Sequence, residues 1–377
     1  MKLIDDYIDK LMAGSTPDKP LWNIEAIRHG KTPAWNYVDG CMMTSLLSLY
    51  DQTKDEKYYE FVENFVDYYV FEDGSLRGYE QHTYNLDDIC ESRVLFDLFE
   101  RTKKEKYSKA IELTYRHVLR QPRTKEGSFW HKLIYPHQVW LDGLFMAQPF
   151  YTRYESLRNN QRNYEDILNQ FKVARNNLFD ENHQLYYHGY DASRTAFWAD
   201  KTTGLSQNFW LRATGWYVVA ITDVIGYLDP SYEPRQSYFF PLLKEAIDGL
   251  LSYQDQKSKL FYQVINHPNE PQNYLESSGS SLIAYAILKG VRLGALPKSY
   301  IEKGLEIFDG ITKTYITNKN GDLNMGGICL VAGLGPDNNL RRDGSIPYYL
   351  SEPIVENDAK GVGPYIMAYT EVKKIRE

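Results

Sequence analysis

The chain has 377 residues and a formal charge of −7, with 43 basic against 50 acidic side chains and no extended basic run. Nucleic-acid affinity rests chiefly on cations that neutralise phosphates, so this balance argues against a polyanion-binding surface. Hydrophobic residues at 43% and charged residues at 25% are proportions of a chain that folds throughout, and one large domain over 1–377 is expected.

Met1 to Gly14 reads as an amphipathic helix, because Asp5, Asp6 and Asp9 break up what would otherwise be the apolar core of a secretory leader. Cytoplasmic residence is the expectation. No stretch approaches the roughly 18 consecutive apolar residues of a membrane span. Further along, Tyr58, Phe61, Val62, Phe65, Val66 and Tyr69 recur at helical spacing, with Glu60, Glu63 and Asp67 on the opposite face. The design returns in Tyr107, Ala110, Ile111, Tyr115 and Val118, and the lead-in Thr53 to Tyr58 (TKDEKY) reappears as Thr102 to Tyr107 (TKKEKY). A period of about 50 residues marks stacked supersecondary units.

Amphipathic helices are also expected over Leu3 to Met12, Tyr164 to Leu178, Tyr238 to Tyr253 and Ser299 to Ile316, giving an outer set. A second, more apolar set comprises Val38 to Tyr50, Leu86 to Glu100, Val139 to Glu155, Phe209 to Ile225, Leu275 to Lys289 and Gly361 to Val372. Helices apolar on most sides are buried ones. The alternation therefore predicts an all-α fold, an (α/α)6 toroid of six inner and six outer helices. Short β-hairpins at one mouth are expected in the aromatic segments Gly127 to His131, Gln184 to His188, Leu260 to Gln263 and Asp322 to Met325. Gly333, Gly335, Pro336 and Asn338 mark a long loop before the last inner helix, of the kind that covers a site.

Three cysteines, Cys41, Cys90 and Cys329, are odd in number, far apart and without metal-ligand spacing, which fits buried thiols in a reducing compartment. No metal, phosphate-loop or dinucleotide motif is present, so neither metal nor cofactor is expected. The 32 Tyr, 7 Trp and 16 Phe provide flat rings with polar handles, suited either to core packing or to the mixed faces of sugars.

The densest chemistry lies between Gly127 and Gly143, where His131, Lys132, His137 and Asp142 fall among aromatic rings that include Trp140. Asp142 stands near the start of an inner helix, either as a helix-start carboxylate or as a general acid. Asp87 begins the preceding inner helix and points to the same mouth. A neighbouring carboxylate and partial burial would both raise the pKa of Asp142, as acid duty requires. Asp88, a helical step of about 100° away, reads as structural. His188 is either structural or a donor to a sugar hydroxyl. Trp210 and Arg212 open another inner helix, with Trp216 a turn and a half on; Arg212 offers a fork for a carboxylate, or a partner for a structural Asp. The segments Tyr274 to Ser280 and Asn357 to Gly363 read as mainly architectural.

Several segments taken together, in this order and spacing, resemble glycoside hydrolase family 105, the unsaturated rhamnogalacturonyl hydrolases. They are Trp35 to Gly40 (WNYVDG), Asn85 to Asp87 (NLD), Phe129 to Lys132 (FWHK), Tyr135 to Gly143 (YPHQVWLDG), Tyr187 and His188, Phe209 to Arg212 (FWLR), Gly215 and Trp216, and Leu275 to Gly279 (LESSG). The resemblance spans Trp35 to Thr370. It implies a substrate whose terminal uronic acid carries a C4=C5 double bond left by a lyase. Asp142 would protonate C4 and water would add at C5, with no covalent glycosyl intermediate. By the same match Asp87 and His188 would hold ring hydroxyls and orient Asp142 or the water. Trp210, Arg212 and Trp216 would line the uronate subsite, Tyr37, His131 and Lys132 would contact the sugar or its carboxylate, and Trp140 is a further substrate-binding candidate. Two stretches depart from the pattern, His188 to Asp191 and Asn324 to Ser351. Unsaturated galacturonyl-rhamnose from pectin is the first expectation for the substrate, and an unsaturated glucuronyl-rhamnose of algal origin the second. A sugar epimerase and a non-catalytic sugar-binding protein are the rival readings. The expected partner is an oligosaccharide, not a nucleic acid or a membrane, and the expected assembly a monomer or homodimer.

Overall fold

The apolar periodicity becomes helices whose bounds lie within a few residues of those expected. In the computed structural model, which describes residues 1–376, the outer set is Lys2–Ala13, Glu56–Asp67, Glu105–Arg120, Tyr164–Leu178, Phe240–Leu251 and Tyr300–Tyr315. Each buries one stripe, such as Tyr58, Tyr59, Val62, Phe65 and Val66 in Glu56–Asp67, a helix whose first turn is capped by the Asp55 carboxylate accepting from the Lys57 amide. The inner set is Tyr37–Thr53, a composite helix over 87–102, Leu141–Arg158, Leu211–Tyr227, Ser277–Arg292 and Ala359–Arg376. These are apolar on nearly all sides; every residue from Leu211 to Ile225 is buried.

Each inner helix packs on the next, and the last, Ala359–Arg376, returns to pack on the first, Tyr37–Thr53, so the ring closes. Closure depends on a missing side chain. A methyl group built on Gly363 would stand 2.7 Å from the Cys41 carbonyl oxygen, so only glycine lets these two helices touch. Cys41, Cys90 and Cys329 are buried free thiols within this wall. No helix among the described residues is long and apolar enough to cross a membrane.

The structure differs from the sequence reading at several elements. The second inner helix is not continuous: Asp87–Cys90 passes through a 3-10 turn, Glu91–Val94, into Leu95–Thr102. That turn carries buried polar side chains tied to other elements, with Glu91 accepting from the Asn36 amide at 2.9 Å and Arg93 donating to the Phe145 carbonyl. Phe240–Leu251 is preceded by a π-helical turn, Arg235–Phe239. The third inner helix starts at Leu141, because Gln138–Trp140 is a strand paired antiparallel with Gly189–Asp191. Finally, only some aromatic segments form hairpins. Leu185–Tyr186 pairs with Phe179–Asp180, and Asp322–Met325 with Ile316–Lys319, whereas Gly127 to His131 and Leu260 to Gln263 make isolated bridges. Their backbone groups are claimed elsewhere: the Phe129 amide donates to Gln170 Oε1 and the Trp130 amide to the Pro122 carbonyl.

Two segments absent from the helix expectation lie near the helix starts. The short helix Ile24–His29 follows Trp22, and Ile346–Ser351 sits in the loop before the last inner helix. That loop packs down through Leu334, which is fully buried with Tyr135, Trp140, Ala196, Trp198 and Ala199 in a small apolar cluster separate from the main core. Trp198 Nε1 donates to the Gly335 carbonyl at 3.2 Å and Asn208 Nδ2 to the Gly344 carbonyl at 2.8 Å, so the loop is fastened at two points.

Candidate active site

Trp140 is the N-cap of Leu141–Arg158, with extended backbone, so Asp142 falls in the first turn, where free amides and the helix dipole favour a carboxylate. The strand Gly189–Asp191 lies beside Gln138–Trp140, and the Leu141 amide donates to the His188 carbonyl at 3.0 Å. This pairing carries His188 to Asp142, with Nε2 3.2 Å from Oδ2. The approach is off the line of a hydrogen bond, so both buried atoms remain without a hydrogen-bond partner. Asp142 is 7% exposed and His188 fully buried.

The other imidazole nitrogen, Nδ1, lies 2.8 Å from the Tyr349 hydroxyl. Burial above all, then Tyr348 and Asp142, push that phenol well above its usual range, so it remains a donor. Nδ1 therefore accepts, and a neutral imidazole carries its proton on Nε2, towards Asp142. Tyr349 was not among the residues expected from the sequence. Trp210 stacks nearby, 4.8 Å from His188 and 5.9 Å from Tyr349 between ring centroids, with its Nε1 buried and unpartnered.

Asp87, the first residue of its helix, accepts from Lys132 Nζ at 2.6 Å through Oδ2, and its Oδ1 lies 3.5 Å from His131 Nε2. Burial opposes its charge, but Lys132 and His131 outweigh burial and hold the carboxyl below its ordinary range. Asp87 is thus paired with Lys132, while the group in contact with Asp142 is His188. Burial lowers His131 to about 4 against the pull of Asp87, so its ring is neutral near pH 7. It stacks on Trp140 at 4.3 Å, and Trp140 on Tyr135 at 4.7 Å. Gly143 makes room for this stack, since a methyl group there would lie 3.1 Å from His131 Nδ1 and 3.0 Å from Leu86.

Tyr37, Asp87 and Lys132 face a cleft of about 260 Å³ whose walls also include Asn85, Glu25 and Lys31. Asp88, read from the sequence as structural, belongs to this wall as well. Burial and the charge of Asp87 push its carboxyl up to about 7, and Asn85 Nδ2 donates to it at 3.1 Å.

Arg212 and Trp216 take up positions deeper than expected. The Arg212 guanidinium, 1% exposed, donates to the carbonyls of Cys329 and Leu330 and to Ser278 Oγ, with its face over Trp210. It pairs with neither a substrate-facing nor a structural carboxylate. Trp216 is fully buried and stacked on Phe145 at 4.2 Å. The architectural reading of the next segment holds: Glu276 caps Ser277–Arg292, accepting from the Gly279 amide and the Ser278 hydroxyl. Among the described residues no cluster of three His, Cys, Asp or Glu side chains could hold a metal ion.

A ring of helix pairs whose inner helices open on buried acid, imidazole and indole groups places the chain among the glycoside hydrolases of helical-toroid fold. It belongs to Glycosyl Hydrolase Family 88, whose family model matches residues 8–376. It is similar to a solved glycoside hydrolase of family 105 from C. acetobutylicum ATCC 824, at 42% identity, covering 97% of this chain and 99% of that one, with a TM-score of 0.89. Protein Atu3128 of Agrobacterium fabrum (strain C58 / ATCC 33970) is 35% identical over 231 residues, 60% of this chain and 97% of its own. The unsaturated rhamnogalacturonyl hydrolase YesR of Bacillus subtilis (strain 168) is 26% identical over 282 residues, 72% of this chain and 74% of its own.

Proposed function

We propose that the protein releases an unsaturated uronic acid from the non-reducing end of oligosaccharides left by a polysaccharide lyase, with Asp142 as the proton donor. The observation that carries this is the Asp142 carboxyl, buried in a helix's first turn, 3.2 Å from a fully buried imidazole whose facing nitrogen has no hydrogen bond. Such a pair can deliver one proton and align one water. The proton adds to C4 of the C4=C5 alkene, and water adds to C5 and returns a proton. The product is a hemiketal at C5. Its opening leaves a ketone at C5 and a hydroxyl at C1, and the hemiacetal so formed expels the neighbouring sugar as an alcohol. Displacement at the anomeric carbon by paired carboxylates is not required, which accords with Asp87 being engaged by Lys132. Asp87 and Tyr37 hold ring hydroxyls from the cleft wall.

The family relationship and the likeness to YesR, named as an unsaturated rhamnogalacturonyl hydrolase, favour galacturonyl-rhamnose as the substrate. Three buried free thiols fit a reducing compartment, so the proposal places the reaction in the cytoplasm.

The test is loss of the alkene's ultraviolet absorbance on mixing purified protein with unsaturated galacturonyl-rhamnose, with free rhamnose measured alongside. Asp142→Asn should lower kcat by about 10³-fold or more while the protein stays folded. Equal rates in the two proteins would remove Asp142 from the role, and a faster reaction with unsaturated glucuronyl-rhamnose would reassign the substrate.

A further inference from the structure

A uronate brings a full negative charge to a site where Asp87 and Asp88 already line the cleft and Asp142 is buried beside His188. The cost of desolvating that carboxylate is offset most strongly by a cation with a free fork or ammonium group. Lys132 is held by Asp87 at 2.6 Å, and Arg212 by the Cys329 and Leu330 carbonyls, so neither is free without stripping a buried partner. Lys31, on the cleft wall, is paired with Glu25 at 2.7 Å.

Arg342, in the loop that covers Trp140, is different. It is half-buried, and its guanidinium makes no hydrogen bond or ion pair among the described residues. Its backbone is nonetheless fixed: the Arg342 amide donates to the Asn339 carbonyl at 3.2 Å, and its carbonyl accepts from the Gly335 amide at 2.8 Å. Its head is located by Gly333, where a methyl group would lie 3.4 Å from Arg342 Nη1 and 3.3 Å from Cζ3 of Trp140. A side chain at 333 would fill the gap between cation and indole. The charge of Arg342 is felt at Glu25 on the cleft wall and at Tyr348, next to the histidine's partner Tyr349.

We infer that Arg342 is the specificity-determining residue that takes the uronate carboxylate of the substrate, its guanidinium standing near the edge of the buried Trp140 ring. The inference deepens the proposed function and rests on it for the identity of the sugar, but its test does not depend on turnover. Saturated galacturonyl-rhamnose has no alkene for Asp142 to protonate, so it binds without being consumed.

Calorimetric titration with this disaccharide and with its uronate methyl ester compares the wild-type chain with Arg342→Gln and Arg342→Lys. The free acid should bind Arg342→Gln at least tenfold more weakly than wild type, the ester equally to both, and Arg342→Lys should fall between. With the unsaturated substrate, Arg342→Gln should raise KM with kcat little changed. Unchanged affinity for the acid, an equal loss for acid and ester, or no binding of the acid by the wild-type chain would each overturn the assignment. A failure of the Asp142 reading would appear separately, as undiminished turnover by Asp142→Asn.

Discussion

His188 presents Nε2 to Oδ2 of Asp142 at 3.2 Å while its Nδ1 is held by Tyr349. Removing the Tyr349 hydroxyl frees the ring to turn and leaves Nδ1 unpaired in a dry site. Tyr349→Phe should therefore lower kcat by about tenfold with little change in KM, and His188→Asn by about 10² to 10³. The double variant should be no slower than His188→Asn alone, since the tyrosine acts through the histidine. Steady-state kinetics of all three would check this, and independent, multiplicative losses would show that Tyr349 acts by another route.

Lys132 and Asp87 are a mostly buried pair, and breaking one member strands the other. Lys132→Met should destabilise the fold by about 3 kcal/mol, read as a shift in urea midpoint, and Lys132→Met with Asp87→Asn should recover much of it. The Asp87 carboxyl is held below its ordinary range. Its contribution is thus complete above the unfolded pKa of about 3.9 and is lost as pH falls through the lower folded value. Urea midpoints measured below pH 4 should accordingly fall less steeply in the Lys132→Met, Asp87→Asn double variant than in the wild-type chain.

Acid lability should come from two histidines. His131 and His117 are buried with pKa values lowered to about 4, in both cases chiefly by burial. His117 is enclosed by the Tyr79 hydroxyl at 2.6 Å and Gln121 Oε1 at 3.0 Å. The unfolded chain takes up protons near the ordinary value of about 6.5, so stability is full above that pH and falls as pH drops towards 4, by roughly 3 kcal/mol for each ring. Urea midpoints between pH 4 and 7 would measure this slope. His117→Gln should flatten it, and an unchanged slope would mean the imidazole is charged inside the fold.

Gly143→Ala puts a methyl group 3.1 Å from His131 Nδ1 and 3.0 Å from Leu86. The His131 ring is pinned by its stack on Trp140, so this contact is the one that strains. The variant should lose about 1–3 kcal/mol of stability, and its kcat should fall because the displaced ring bears on Asp87 and Trp140 together. Wild-type kinetics with only a lowered urea midpoint would separate packing from function at this position.

Much of this was legible from the chain because it is local. Helical periodicity located the two sets of helices within a few residues, and the starts of the inner helices put Asp87 and Asp142 where the structure has them. What the sequence could not disclose depends on contacts between distant segments. Tyr349 reaches His188 across 161 positions, and the carbonyls that occupy Arg212 lie 117 and 118 positions away. No periodicity or spacing encodes such pairs. Asp88 stands one helical step from Asp87, and both side chains nonetheless line the same cleft. The start of the third inner helix was misplaced because Val139 and Trp140 are equally at home in a buried strand, and only the partner strand Gly189–Asp191 decides between the two.

Trp140 belongs at once to the aromatic pile with His131 and Tyr135 and to the small oily patch under Leu334. A single indole thereby rivets the floor of the reaction chamber to its roof. Any fluctuation that lifts the 333–344 stretch must also slacken the grip on the histidine beneath, so admitting a guest and unsettling the machinery are one event.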